Sequence, residues 1–276
     1  MIILSDLIQI LSREYIRYAF IVGFTMSLCA ALLGVSLVLK KHSMIGDGLS
    51  HVGFGAVAVA ACFGWAPLAF AIPIVMLSSF LILWIANKSK VFADSLIALF
   101  STLALAIGYA AIELGHGVNF NVGNYLYGSL LGVSLTEVII SLCVMFIVIT
   151  LYIILYNRIF SVTFDSTFSK STGTNVTLIN VIISILTSLT VVIGMKVMGA
   201  LLITSLIIFP TLSARLIFKK FKLVTIFSAL IGILSFVIGL IASCIITNLP
   251  IGSSIVFVSF IVFILCFLIS KIKYRR

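Results

Sequence analysis

Asp47 and His51 set an acid and an imidazole four residues apart, within residues 43–55, SMIGDGLSHVGFG. That spacing puts both side chains on one face of a helix. A carboxylate beside a neutral imidazole can ligate a divalent transition metal, zinc most naturally, with manganese and iron close behind. Two ligands are too few for a closed structural site and suit weak, transient coordination. A second copy of the chain, meeting the first across a twofold axis, would double the set. The same residues admit a structural reading. Asp47 would cap a helix whose entry Gly46 and Gly48 ease, and His51 would be a hydrogen-bonded core histidine.

Other candidates are sparser. Glu113 and His116 close one apolar run and could receive a metal ion at its mouth, although polar residues at helix ends need no special role. Lys196 stands near the end of another run, where its stem is expected to snorkel and carry the ammonium to the interface. His42 reads as a juxtamembrane neighbour of Lys40 and Lys41. No GxxxxGK[ST] loop occurs to cradle a nucleotide phosphate, and no HExxH occurs to serve metal-dependent hydrolysis. Cys29, Cys62, Cys143, Cys244 and Cys266 lie in apolar runs without CxxC spacing and read as small hydrophobes, not as disulfides or metal ligands.

The elements that carry these residues must be membrane spans. The chain is 63% hydrophobic and only 9% charged, where soluble domains carry about 25% charge. Its mean hydropathy is +1.38. A length of 276 residues accommodates eight or nine spans of roughly 20 residues each. The alternating short segments of an outer-membrane barrel are absent. The expected fold is an all-α polytopic membrane protein forming a single transmembrane domain over residues 1–276. In that setting a carboxylate costs about 2.5–3.5 kcal/mol to insert, so Asp47 is a functional candidate by default.

Spans are expected over residues 15–39, 45–63, 67–86, 95–114, 138–156, 176–194, 199–218, 224–246 and 253–269. Small residues at four-residue spacing in the first (Gly23, Ser27 and Ala31) allow close helix approach. Pro210 is expected to kink the seventh, and Gly199 to let it pack closely. Residues 117–135, GVNFNVGNYLYGSLLGVSL, are too short and polar to span and read as a re-entrant or extracellular hairpin. Residues 157–175 form the longest polar interval, and the first fourteen residues read as an interfacial helix, not a cleaved signal.

Net charge is +10, but the basic residues cluster at alternate span ends, which argues against nucleic acid and for orientation signals. Fourteen fall on the side holding residues 157–175 and the C-terminus, against only Arg13, Arg17 and Lys196 opposite. The C-terminus is therefore expected in the cytoplasm and the N-terminus outside. On this count Asp47 and His51 begin a span at the cytoplasmic face, a waypoint low in any path.

Four blocks carry a more specific resemblance: KKHSMIGDGLSHVGFG (40–55), NYLYGSLLGVS (124–134), FDSTFSKSTG (164–173) and MKVMGALLITSLIIFPTLSAR (195–215). In that order they resemble the signatures of the metal-ion ABC permeases, over nearly the whole chain, with the last block nearest the zinc-importer branch. The resemblance implies a fold similar to cobalamin and iron-siderophore importer permeases, in a bacterial plasma membrane. It implies a homodimer around a central path, two separate ATPase subunits that hydrolyse ATP, and an extracellular or periplasmic protein that delivers the metal. This chain would then be no enzyme and would bind no cofactor of its own. Asp47 and His51 would be pathway ligands. Asp165, Ser166, Thr167, Phe168, Ser169, Lys170 and Gly173 would form the helix that couples to the ATPase. Two departures stand out: TLSAR where the family more often has AATAR, and Ser169–Lys170 where alanine and a hydrophobic residue are common. A proton-driven carrier, with Asp47 titrating, and a membrane metallohydrolase are the competing readings.

Overall fold

The computed structural model describes residues 14–88, 92–115, 128, 132–246 and 249–273. Within them the chain forms eleven helices: α1 (Glu14–Leu39), α2 (Ile45–Cys62), α3 (Pro67–Lys88), α4 (Ala93–Leu114), α5 (Leu135–Ile154), α6 (Tyr156–Phe164), α7 (Ser166–Ser171), α8 (Val176–Met198), α9 (Ala200–Ile217), α10 (Phe221–Ile245) and α11 (Ile251–Lys273). Nine of these are long and apolar enough to cross a membrane. The proposed hairpin at 117–135 and the interfacial helix at the N-terminus fall largely outside the described residues.

Local chemistry sets several boundaries. Ser134 and Glu137 form a capping box at the start of α5, and Asn175 accepts from the Leu178 N–H at 3.0 Å to start α8. The polar interval at 157–175 holds two short helices, and Asp165 separates them and caps the second, which lies within the 165–173 segment expected as a helix. Gly199 sits at φ +90° between α8 and α9, a conformation that L side chains avoid. It makes the corner between two spans with no further linker, a different role from the close packing expected of it. α9 runs through Pro210 as one helix.

Burial orders the bundle. α1 is 78% buried and α2 72% along their apolar stretches, whereas α4 and α11 are 17% buried. The first pair is central and the second is rim, offering Leu99, Leu103, Phe257 and Ile261 outward. α1 touches α5, α8, α9 and α10, and α2 packs on α3 and α4.

The α2–α4 seam is a parallel pair in strict register. A Cβ on Gly48 would meet Ile97, and one on Gly55 would meet the Ala104 carbonyl at 2.4 Å. The Cys62 thiol donates to the Ala111 carbonyl at 2.9 Å. Each pair recurs two helical turns on, so small residues on α2 let the backbones nearly touch along its length. In lipid such packing, and not hydrophobicity, drives helix association.

Candidate functional site

α2 carries Asp47 in its first turn and His51 one turn later. The His51 Nε2 lies 3.6 Å from the Asp47 Oδ2, too long for a good hydrogen bond. Two N/O ligands on a tetrahedral metal at roughly 2.05 Å would stand about 3.3 Å apart, so a shared ion fits this spacing. Neither structural reading of the pair holds. Met44 occupies the N-cap position with no side-chain cap, and Asp47 has no partner besides His51 among the described residues. The His51 Nδ1 is buried with no hydrogen-bond partner there, so it is not a satisfied core histidine. Buried polar atoms are ordinarily paired.

Asp47 faces a cavity of about 730 Å³ whose other walls are the first half of α9 (Leu201, Thr204 and Ser205 among them) and the start of α11 at Pro250 and Gly252. Gly46 abuts Ile207, midway along α9, and Gly53, midway along α2, abuts Met195 in the last turn of α8. α2 is therefore displaced toward the end of the bundle that holds the α8–α9 corner and the α10–α11 turn. The expectation that Asp47 and His51 sit low in the path, beside the Lys40–Lys41 end, is overturned. The first turn of α2 packs at the level of the middle of α9, and counting span ends does not reveal that height.

The remaining candidates separate. Glu113 is exposed in the last turn of α4. Through the α2–α4 register it lies 17 residues beyond the Asp47 level, about 25 Å along the bundle. The two do not meet. His116 lies outside the described residues. No group of three or more His, Cys, Asp or Glu side chains poised to hold a metal occurs among the described residues, and all five cysteines are free. One chain thus offers two ligands.

Lys196 does not simply snorkel. Its Nζ pairs with the Glu137 Oε1 at 2.7 Å, while Glu137 Oε2 accepts from the Ser134 N–H at 2.8 Å. The pair ties α5 to the last turn of α8, next to the Gly199 corner. The capping box SLTE was legible in the sequence; its partner, 59 positions on, was not.

At the opposite end, α6 and α7 fold on each other. Asp165 accepts from the Thr167 and Phe168 N–H groups at 2.9 Å each, and Gly173 at φ +79° ends the turn. Ser169 is fully buried and its hydroxyl lies 2.6 Å from that of Ser161. A serine at this position thus fits the register of α7. Phe160, Phe164 and Phe168 remain exposed around it, an apolar surface larger than a short solvated turn needs.

The sequence profile of the ABC 3 transport family matches residues 12–270. The chain belongs to that family. It is 29% identical over 252 residues to the high-affinity zinc uptake system membrane protein ZnuB of Haemophilus influenzae, covering 91% of this chain and 96% of that one. It is 26% identical over 262 residues to the manganese transport system membrane protein MntC of Halalkalibacterium halodurans, covering 95% and 89%. Among solved structures, PsaBC from Streptococcus pneumoniae in complex with Fab matches at a TM-score of 0.83 and 25% identity, over 97% of this chain and 95% of that one. An inward-facing metal-chelate type ABC transporter shares the fold at a TM-score of 0.66 and 14% identity. The family and fold expected from the four sequence blocks are borne out.

Proposed function

We propose that this chain is the permease subunit of an ATP-driven importer for divalent metal ions, with zinc the cargo. The observation that carries the reading is the Asp47–His51 pair, spaced for a shared ion, with Asp47 on the wall of a cavity bounded by α9 and α11. Two chains meeting across a twofold axis would complete a four-ligand set that holds the ion transiently. Basic residues on α7's side of the bundle assign that side to the cytoplasm. α7, with its exposed Phe168 and the exposed Phe160 and Phe164 of α6, then docks a separate ATPase, with Asp165, Ser166, Thr167, Phe168, Ser169, Lys170 and Gly173 shaping the contact. The cavity beside Asp47 opens toward the outer face, where a metal-binding protein delivers the ion and Glu113 and His116 border its approach.

Zinc is favoured by the imidazole and by the 195–215 block. Manganese is the second reading, favoured by relatives such as MntC; carboxylate–imidazole pairs accept both, and geometry decides between them. Proteoliposomes holding this chain with its ATPase and ATP should accumulate zinc, and the chain alone should not. Asp47→Ala or His51→Ala should abolish uptake while the ATPase still docks. Uptake driven by a proton gradient without ATPase would refute the reading, and unchanged uptake in both variants would return the pair to a structural role.

A further inference from the structure

The end of the bundle that carries α6 and α7 holds two adjoining cavities, of about 310 and 410 Å³, which share Leu83, Ser166 and Asn180 as walls. Lys40, Lys41 and His42 line the first and Lys170 the second. None of the four has a carboxylate within salt-bridge distance among the described residues. The mostly buried Lys40 ammonium spends one donor on the Asn180 Oδ1, at 2.7 Å. Burial pushes its pKa down to about 8. The His42 Nδ1 is buried and without a partner among the described residues. Burial lowers the His42 pKa, Lys40 lowers it further, and Asp94 on α4 pulls the other way. Lys41 holds φ at +62°, the one positive φ of a non-glycine residue among those described. Asp165, the nearest acid on α7, is occupied in capping that helix. The Lys40 ammonium, largely out of water without a counter-ion, is costly there and calls for an anion, and the exposed Lys41 and Lys170 stand at the cavity walls to share it.

The second cavity identifies where that anion comes from. Its outer wall is Phe80 and Trp84 of α3, which are exposed in line with Leu77 on the same helix face. The cationic chamber therefore continues into an apolar strip on the lipid-facing surface. A tryptophan at that junction is where membrane proteins meet headgroups. Basic pockets between spans are a recurring form of headgroup recognition.

We propose that these cavities bind an anionic phospholipid, its phosphate taken by Lys40, Lys41 and Lys170 and its acyl chains lying along Leu77, Phe80 and Trp84. The site is separate from the Asp47–His51 pair and does not depend on which ion is carried.

The full chain in detergent would be titrated with phosphatidylglycerol, phosphatidylcholine and inorganic phosphate, with bound lipid counted by native mass spectrometry and thermal stability read in parallel. Phosphatidylglycerol should raise the melting temperature and remain as a retained adduct; phosphatidylcholine and phosphate should do neither. The double variant Lys40→Gln/Lys41→Gln should weaken phosphatidylglycerol binding by about tenfold or more. Lys170→Gln, on exposed α7 and harmless to folding, should weaken it by a smaller factor, and Lys40→Arg should restore it. Wild-type affinity in the double variant, or equal binding of phosphatidylcholine, would overturn the proposal. Stabilisation by phosphate alone would make this a site for free anions. Loss of ATPase docking in the double variant, with phosphatidylglycerol affinity unchanged, would assign the cations to a partner's carboxylates.

Discussion

Replacing Gly55 with alanine should wedge α2 away from α4. The new Cβ would lie 2.4 Å from the Ala104 carbonyl oxygen, whereas ordinary contact begins at 3.4 Å, so the helices must part by about 1 Å. Overpacking of this kind costs about 1–3 kcal/mol. At about 2–4 °C per kcal/mol the melting temperature should fall by roughly 2–12 °C. The obstacle is backbone, so no trimmed side chain relieves it: Ala104→Gly leaves the carbonyl in place, and the two changes should add. Gly48→Ala provides the contrast. Its Cβ meets the Ile97 Cγ2 at 2.4 Å and backbone only at 3.5 Å. Ile97→Ala removes that methyl, and the double variant should lose less than the sum, by about 0.5–3 kcal/mol. Thermal unfolding in nanodiscs, with metal uptake measured alongside, reads both cycles. Uptake should fall in Gly55→Ala, because the displaced helix carries Asp47 and His51. A Gly55→Ala protein as stable as wild type, or one rescued by Ala104→Gly, would refute the contact that sets the register of the site-bearing helix.

Glu137→Gln keeps the cap on α5 but removes the charge facing Lys196. It should cost about 1 kcal/mol, and the double variant with Lys196→Gln should cost less than the two singles together; additive losses by thermal unfolding would deny the ion pair. Phe168→Asp should abolish co-purification of the ATPase with little change in melting temperature, since the ring is 62% exposed; retained co-purification would remove α7 from the docking surface. Binding of phosphatidylglycerol should weaken as pH rises. Lys40 loses its proton near pH 8 instead of near 10.5; Lys41 and His42 share its cavity, Lys170 lines the adjoining one, Asp94 acts on His42, and Asp165 is taken up in capping α7. Affinity should fall up to about tenfold from about pH 8 to about pH 9, and stability of the lipid-free protein should rise over that window, because the unfolded chain binds the additional proton. A flat isothermal titration series would show that Lys40 does not engage the anion.

Much of this protein was written in its sequence. Apolar runs long enough to cross a bilayer fix an all-helical membrane fold, because in lipid the backbone is satisfied only in helices or closed barrels, and the alternating segments of a barrel are absent. Local rules were equally legible: SLTE as a capping box, a helical spacing for Asp47 and His51, and a polar interval after α5. Family signatures named candidate site residues and a class of chemistry for them. What depended on tertiary contact was not legible. Lys196 read as a lone interfacial cation because Glu137 is 59 positions away and nothing local joins them. The short helix α6 ahead of the expected 165–173 helix was not legible, because nine residues leave too weak a periodic signal. The depth of Asp47 was misplaced because span ends reveal which side a chain turns on, not how far the next helix climbs before it starts. Close packing of Gly46, Gly48, Gly53 and Gly55 against α9, α4 and α8 settles that height. Composition and spacing are properties of the chain alone. The depth of a side chain in the bundle is a property of what its helix touches.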